Sequence, residues 1–587
     1  MKKSIITSAI LASLTLSACG GSSGSSDDDV VTPQPPANTA PTDISLDVMS
    51  VDENAAGATI GTLSATDAEG GAMTFTVDSD MFAVDGDQLS LAAEYSANYE
   101  DASSLTVNVT VADADGATFS KELTIDVNDL LDTYSFASKF EDGASSVSYT
   151  GQIARHVLIA ELNNFISNLE TWLDANNSAT KDDVLAELNK RYFVGEDIYP
   201  DVEGNDALTA EHEQLRQNMY DSLAITFADA EQTMVADISS SYKNIHEKIA
   251  GNDASGQDID WLDGNFAGWA NKGDYTPESL VLEWFDMLAD QAVAYNAGTE
   301  MDSVYVTAEG LDLKQLIQKH LLMSVAFSQS AGDYLGNDYE GKGLTTDNIS
   351  AVSGKAYSNL EHQFDEGFGY FGAPVNYLEY TDEEIAIKGG RDEFQGKNDF
   401  DGNGTINLVS EYVFGASSNA AKRDRGATVA TDMTSDIMNA FLEGRKIIND
   451  AAGMALTDEE MTALQAQRDI AILGWEKAIA ATVVHYINDS VADLNNVGTA
   501  DFSLTDLAKH WSEMKGFGLG LQFSPFSPFY DAANAGKFEE VHTLFKDAPV
   551  FDESAPADVT DYIADLLAAR DILQEVYGFD AENVANW

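Results

Sequence analysis

A single cysteine, Cys19, occurs in 587 residues. With no second thiol, no intramolecular disulfide can form and a zinc site built from several thiolates is excluded. Basic residues are scarce as well: 31 Lys plus Arg stand against 99 Asp plus Glu, a formal charge of −68. Such a field repels nucleic acid and anionic lipid surfaces and attracts cations. The familiar catalytic signatures are missing too. There is no Gly-x-Ser-x-Gly elbow, no Walker loop and no Gly-x-Gly-x-x-Gly following a strand. His212-Glu213 and His246-Glu247 lack a second histidine four residues after the first, so neither is a zincin helix. After the N-terminal leader, no apolar stretch is expected to approach the ~18 residues that span a bilayer.

What is present begins at the N-terminus. Met1-Lys2-Lys3, an apolar run and Leu16-Ser17-Ala18-Cys19-Gly20 have the order of a secretory signal. Ser17-Ala18-Cys19 resembles the lipobox of bacterial lipoproteins. The resemblance implies cleavage before Cys19 and acylation of its sulfur, which leaves no cysteine for catalysis. It also implies an envelope protein held to a membrane by its lipid. Gly20 stands where an Asp commonly retains lipoproteins in the inner membrane, so the expected site is the outer membrane of a Gram-negative cell, facing the periplasm or the surface.

The chain then changes texture twice. Residues 19–39 are Gly/Ser/Asp-rich and then Pro-rich, a flexible tether that stiffens before the first domain. From 40 to 131 apolar residues alternate with polar ones, as in Ile44, Leu46 and Val48, in Phe75 and Val77, or in Leu105, Val107, Val109 and Val111. Asp/Gly turns at 67–71, 85–87 and 113–116 punctuate the runs, and the pattern predicts a β-sandwich of about seven strands. Between Cys19 and Leu131 there are 21 acids and one base, Lys121. From 132 to 587 the apolar spacing becomes three and four, as in Leu158, Leu162, Phe165, Ile166, Leu169, Trp172 and Leu173. Thr457-Asp458-Glu459-Glu460 reads as a capping box and Thr276-Pro277 as an N-cap with Pro at the first helical position. The expected fold is therefore multidomain: an all-β sandwich followed by a large, mainly α-helical bundle domain, as one body or two packed halves.

Within the β region, Asn38-Thr39-Ala40-Pro41, Val51-Asp52-Glu53-Asn54, Ala65-Thr66-Asp67-Ala68-Glu69-Gly70, Asn98-Tyr99-Glu100, Val111-Ala112-Asp113 and Asp126-Val127-Asn128-Asp129 fall in an order that resembles a cadherin repeat. Calcium takes six to eight hard oxygen ligands, chiefly carboxylates and carbonyls. The resemblance implies calcium sites from Glu53, Glu100, Asp126, Asn128 and Asp129 at the C-terminal end, and from Asp67, Glu69 and Asp113 at the N-terminal end. Asn98 stands where the family has Asp, and no second repeat flanks the first.

The helical region holds two further candidates. Asp399-Phe400-Asp401-Gly402-Asn403-Gly404-Thr405-Ile406-Asn407 places oxygen side chains at positions 1, 3, 5 and 9, Gly at 6 and an aliphatic at 8. That is the front of an EF-hand-type loop, with the Thr405 carbonyl as a further ligand. Position 12 is Ser410, with Glu411 one residue late, so an isolated calcium loop over 399–411 is expected rather than a paired EF-hand. The second candidate is His362 with Asp365 or Glu366, which share one helix face and could hold a transition metal. His510 and Glu513 repeat the His-x-x-acid spacing, and each copy runs on into Gly-Phe-Gly.

Tyr134-Ser135-Phe136, Ser148–Gln152, the His362–Pro374 block, Asp401–Tyr412, Asn419–Asp424 and Trp475–Tyr486 together resemble a bacterial lipoprotein domain family of unknown function. The region is also similar to imelysin-like proteins, α-bundle lipoproteins linked to iron uptake through a Gly-x-His-x-x-Glu motif. Here Leu360 replaces that glycine and Asp365 that glutamate. The leading expectation is a non-enzymatic envelope lipoprotein with calcium as its ion. Its helical domain would bind iron, another divalent metal, a metal complex or a partner protein. A metal-dependent hydrolase built on His362 and a calcium-dependent adhesin are the alternatives.

Overall fold

The computed structural model describes residues 37–53, 55–93, 95–99, 102–128, 130–195, 210–252, 265–337 and 341–587. Cys19 and its leader, Glu100 and Asp129 lie outside the described residues. The chain divides between Leu130 and Leu131 into two compact units.

In the first unit, period-2 alternation produces eight strands: β1 (Asp43–Leu46), β2 (Ser50–Asp52), β3 (Thr59–Thr66), β4 (Thr74–Val77), β5 (Phe82–Asp85), β6 (Gln88–Leu91), β7 (Ser104–Ala112) and β8 (Thr118–Asn128). They form two four-stranded sheets, ordered β1-β3-β6-β5 and β2-β8-β7-β4. Between them Ile44, Leu63, Leu89, Val109, Val111 and Ile125 make a dry core. All pairings are antiparallel except β2 with β8, which runs parallel with Val51 opposite Val127. The expected count of about seven strands rises to eight because the first is split. At Asp47–Met49 the chain leaves one sheet for the other, and Val48, expected to face inward with Leu46, is 44% exposed. The β5–β6 hairpin closes through Gly86-Asp87, where Gly86 takes the left-handed φ of +66° that such a tight loop requires.

The second unit is built on one continuous hydrophobic core running from Tyr134 to Trp587. Its spine is the 37-residue helix Asp458–Leu494, started by the Thr457/Glu460 capping box and packed against Met433–Asp450, Leu504–Gly518, Pro556–Tyr577 and Gly415–Arg425. That spine corrects one expectation, since it alone among the described helices is long and apolar enough to cross a membrane. Its apolar window is 67% buried, because Trp475, Ile479, Val483 and Ile487 face the neighbouring helices. Pro277–Asn296 begins at the expected N-cap, Thr276. Helix Leu313–Leu321 runs on into π-helical turns at Leu322–Phe327 and Gln329–Tyr334, and the latter pack on helix Asn359–Phe371.

Candidate metal centre

The loop at 399–411 folds around its own polar side chains. Gly402 and Gly404 take φ of +71° and +89°, values that side chains with a Cβ resist, and so let the chain coil back on itself. Asp399 then accepts the backbone N–H groups of Asn403 (2.9 Å) and Gly404 (2.8 Å). Asp401 accepts the backbone N–H and the side-chain amide of Asn403, both at 3.0 Å. Asn403 Oδ1 accepts from the Thr405 N–H and hydroxyl, and Asn407 Oδ1 from the Val409 N–H.

The base of the loop is closed by an antiparallel bridge between Lys397 and Tyr412, which returns Glu411 beneath the turn. Glu411 is 1% exposed; its Oε1 accepts the Asp401 N–H (3.0 Å) and its Oε2 the Asn407 N–H (2.7 Å). Ser410, at position 12, instead gives its carbonyl to the Val375 N–H. Ligand oxygens of Asp399, Asp401 and Glu411 lie within 4.8 Å of one another. Among the described residues, no other three His, Cys, Asp or Glu side chains converge in this way. Like charges held this close repel one another, and a cation between them relieves that repulsion. Lys397, the base adjoining the loop, is taken by Asp229 at 2.8 Å. Hard oxygens, a bidentate-capable buried carboxylate and a glycine-permitted turn fit calcium better than a soft transition metal.

The histidine candidates are arranged differently. His362 Nδ1 donates to the Ser148 carbonyl (3.0 Å), its ring stacks on Tyr357, and Nε2 stands 3.8 Å from Glu366. Asp365 is wholly buried and fully engaged. It accepts from Arg445 Nε (2.7 Å), the Tyr134 hydroxyl (3.0 Å) and the Ser148 N–H (2.9 Å). Arg445 also binds Glu361 at 3.0 Å, which makes a buried carboxylate–guanidinium–carboxylate cluster. Burial raises the Asp365 pKa, an effect that Arg445 partly offsets. His362 and Asp365 therefore share a helix but not a site. In the second copy His510 pairs with Asp493 (2.8 Å), whereas Glu513 lies 3.4 Å from Lys319.

In the sandwich, Glu53 is sealed by the N–H groups of Tyr99 and Leu130, and exposed Asn128 donates to Asp52. Asp126 is exposed on β8. At the other pole Asn38 and Thr39 tie the acids together: Asn38 donates to Asp113 (2.9 Å), Thr39 to Glu69 (2.7 Å), and the Glu69 N–H to Asp67 (3.1 Å). The hydrogen bond from Asn38 holds the Asp113 carboxyl below the usual carboxylate range.

The model of a domain of unknown function (DUF4856) matches residues 132–527. The chain belongs to that family. No curated protein matches it. Two solved structures of human protocadherin-24 EC1-2 match at 23% and 21% identity, both with TM-scores of 0.15. They cover 17% and 19% of this chain and 49% and 58% of their own, so the chain spans about half the length of each.

One part of the DUF4856 centre escapes the sequence. Ile406, the aliphatic of the loop, is buried and forms a parallel bridge with Ala230. Its N–H donates to the Asp229 carbonyl, its carbonyl accepts from the Glu231 N–H, and Gln232 and Glu231 hold Leu408 and Asn407. Asp229 sits at φ +64°, strained for a residue with a side chain. No spacing signal joins segments so far apart in the chain.

Proposed function

We propose that this chain is a calcium-dependent, non-enzymatic binding lipoprotein of the cell envelope. Its sandwich serves as a cadherin-like module and its DUF4856 unit as the binding domain. The observation that carries the reading is the convergence of Asp399, Asp401 and Glu411. Calcium bound there would supply the positive charge that the triad lacks. Asp399, Asp401 and Glu411 would hold it, with the Thr405 carbonyl, Asn403 and Asn407 as candidate oxygens on the same turn. Glu411 is already fixed by two backbone N–H groups, so the loop is largely organised before an ion arrives. The bridge to Ala230 carries that order into the helical core. The lipobox at Cys19 supports the envelope assignment, and the acidic motifs of the sandwich support a calcium module. Asp365 is committed to Arg445, so the geometry gives the iron and hydrolase readings no comparable support.

The test is calorimetric titration of calcium into chelator-treated protein, beside Asp401→Asn and Glu411→Gln. Saturable binding with Kd in the range of about 10⁻⁵–10⁻³ M, weakened at least tenfold in both variants, is the expected result. Calcium heats unchanged by either substitution would refute the loop as the site.

A further inference from the structure

The C-terminal end of helix Asp458–Leu494 carries a histidine–carboxylate cluster apart from the calcium loop. His485, Asp489 and Asp493 recur at intervals of four, so one face of that helix presents all three. Helix Leu504–Gly518 packs alongside and brings His510 to them. His485 Nε2 lies 3.3 Å from Asp489 Oδ2, and His510 Nε2 lies 3.9 Å from the same oxygen. On its other side His510 Nδ1 stands 2.8 Å from Asp493 Oδ2. The whole chain has eight histidines, and two of them share this one carboxylate.

The contacts fix which nitrogens are available. A carboxylate only accepts, so the His510 N–H that reaches Asp493 is on Nδ1. In the neutral ring Nε2 then keeps its lone pair beside the Asp489 oxygen, and two such electron-rich atoms are relieved by a cation between them. A carboxylate behind an imidazole is also the arrangement that orients metal-binding histidines, because it sets the tautomer and makes the free nitrogen more basic. His485 favours the neutral form that binds metals: burial and the nearby Arg423 charge hold its pKa below the usual imidazole range, although the Trp587 backbone and Asp489 pull the other way. Tyr486 stacks against His510 with ring centroids 6.2 Å apart and walls one side of the cluster.

We propose that His485, Asp489 and His510 form a zinc site, with Asp493 as the positioning residue behind His510. Ligands about 2.1 Å from a tetrahedral zinc ion stand about 3.4 Å from one another, a separation that His485 and Asp489 already meet. His510 lies further out and the two imidazoles are the widest pair, so the ion draws His510 inward. The three side chains are 21–36% exposed, which gives the ion a way in and leaves its fourth position to water. Imidazole nitrogen suits zinc, whereas the oxygen-only loop at 399–411 suits calcium, so the two sites sort ions by donor chemistry. The site does not depend on the calcium reading, and Glu513, held by Lys319, takes no part in it.

The experiment uses the full chain, stripped with chelator and returned to excess calcium so that the loop and the exposed acids are occupied. Zinc chloride is titrated calorimetrically, and cobalt chloride is followed by visible absorption. Saturable binding of one zinc ion is expected, as are cobalt bands more intense than those of the aqueous ion. His485→Gln and His510→Gln should each weaken zinc at least tenfold, and Glu411→Gln should leave it unchanged. Asp493→Asn, which keeps all three ligands, should weaken zinc about tenfold and shift the cobalt bands. The ligand-free melting temperatures of these half-exposed variants should stay at the wild-type value. No saturable zinc binding, or equal zinc affinity in wild type and both histidine variants, would overturn the site. Cobalt bound to wild type with the spectrum of the aqueous ion would overturn it without recourse to any variant.

Discussion

The two His-x-x-acid helices of the DUF4856 unit carry the same short motif to opposite ends. In Asn359–Phe371 the acid, Asp365, has three donors and shares a guanidinium with Glu361. In Leu504–Gly518 the acid, Glu513, is nearly as deeply buried but answers a single cation, Lys319 at 3.4 Å. The motif does not decide this; the partners supplied by distant helices do. Where every charge is matched, the cluster holds the core.

The matched cluster is the place to look for the largest effect. Arg445→Met strands Glu361 and Asp365 in the core, and removing one partner of a buried ion pair typically costs about 3–5 kcal/mol. Chemical denaturation should show a loss of that order. An unchanged stability would erase the distinction.

Glu476 offers a pH-dependent version of the same contrast. It is fully buried, with Oε1 bonded to Ser527 and Tyr577 and Oε2 without a partner, and burial raises its pKa to about 7. The folded protein therefore binds this proton more tightly than the unfolded chain, whose glutamate titrates near 4.5. Its favourable contribution is complete below about pH 4.5 and disappears as pH rises through 7, a swing of about 3 kcal/mol at 1.36 kcal/mol per unit. Glu476→Gln should flatten the stability–pH profile between those limits. An unchanged slope would place the titration elsewhere.

Third in size is the calcium loop. Calcium at about a hundred times its Kd should add about 2.7 kcal/mol to wild-type stability and little to Asp401→Asn. Thermal melts with and without chelator measure it. The smallest effect belongs to Lys121, the one base between Cys19 and Leu131, which ties β8 to Asp43 and to the Ile44 carbonyl at an exposed edge. Lys121→Ala should leave the denaturation midpoint of the first unit unchanged, because solvent screens such a pair.

Local chemistry made much of this readable in advance. Alternation placed the strands, capping residues placed the starts of Pro277–Asn296 and Asp458–Leu494, and the glycines of 399–407 marked a coiled turn. Val48 shows where local pattern fails, since strand-switching at Asp47–Met49 is set by the sheet to be joined. The π-helical turns after Leu321 were hidden because a wider turn blurs the 3.6-residue period. Ala230 opposite Ile406 and Arg445 beneath Asp365 are both long-range facts. A sequence states which groups need partners but not which ones find them.

The matched cluster also bears on the order in which the chain can mature. Tyr134, Ser146 and Ser148, at the start of the DUF4856 unit, are bonded to Asp365 and Arg445. A nascent chain that has emerged only as far as Asp432 would own two carboxylates destined for the interior without Arg445, the guanidinium that meets them. Such dependence on distant segments slows folding and makes partial chains vulnerable. The DUF4856 unit should thus resist division, and proteolytic fragments ending before Met433 should fail to fold on their own.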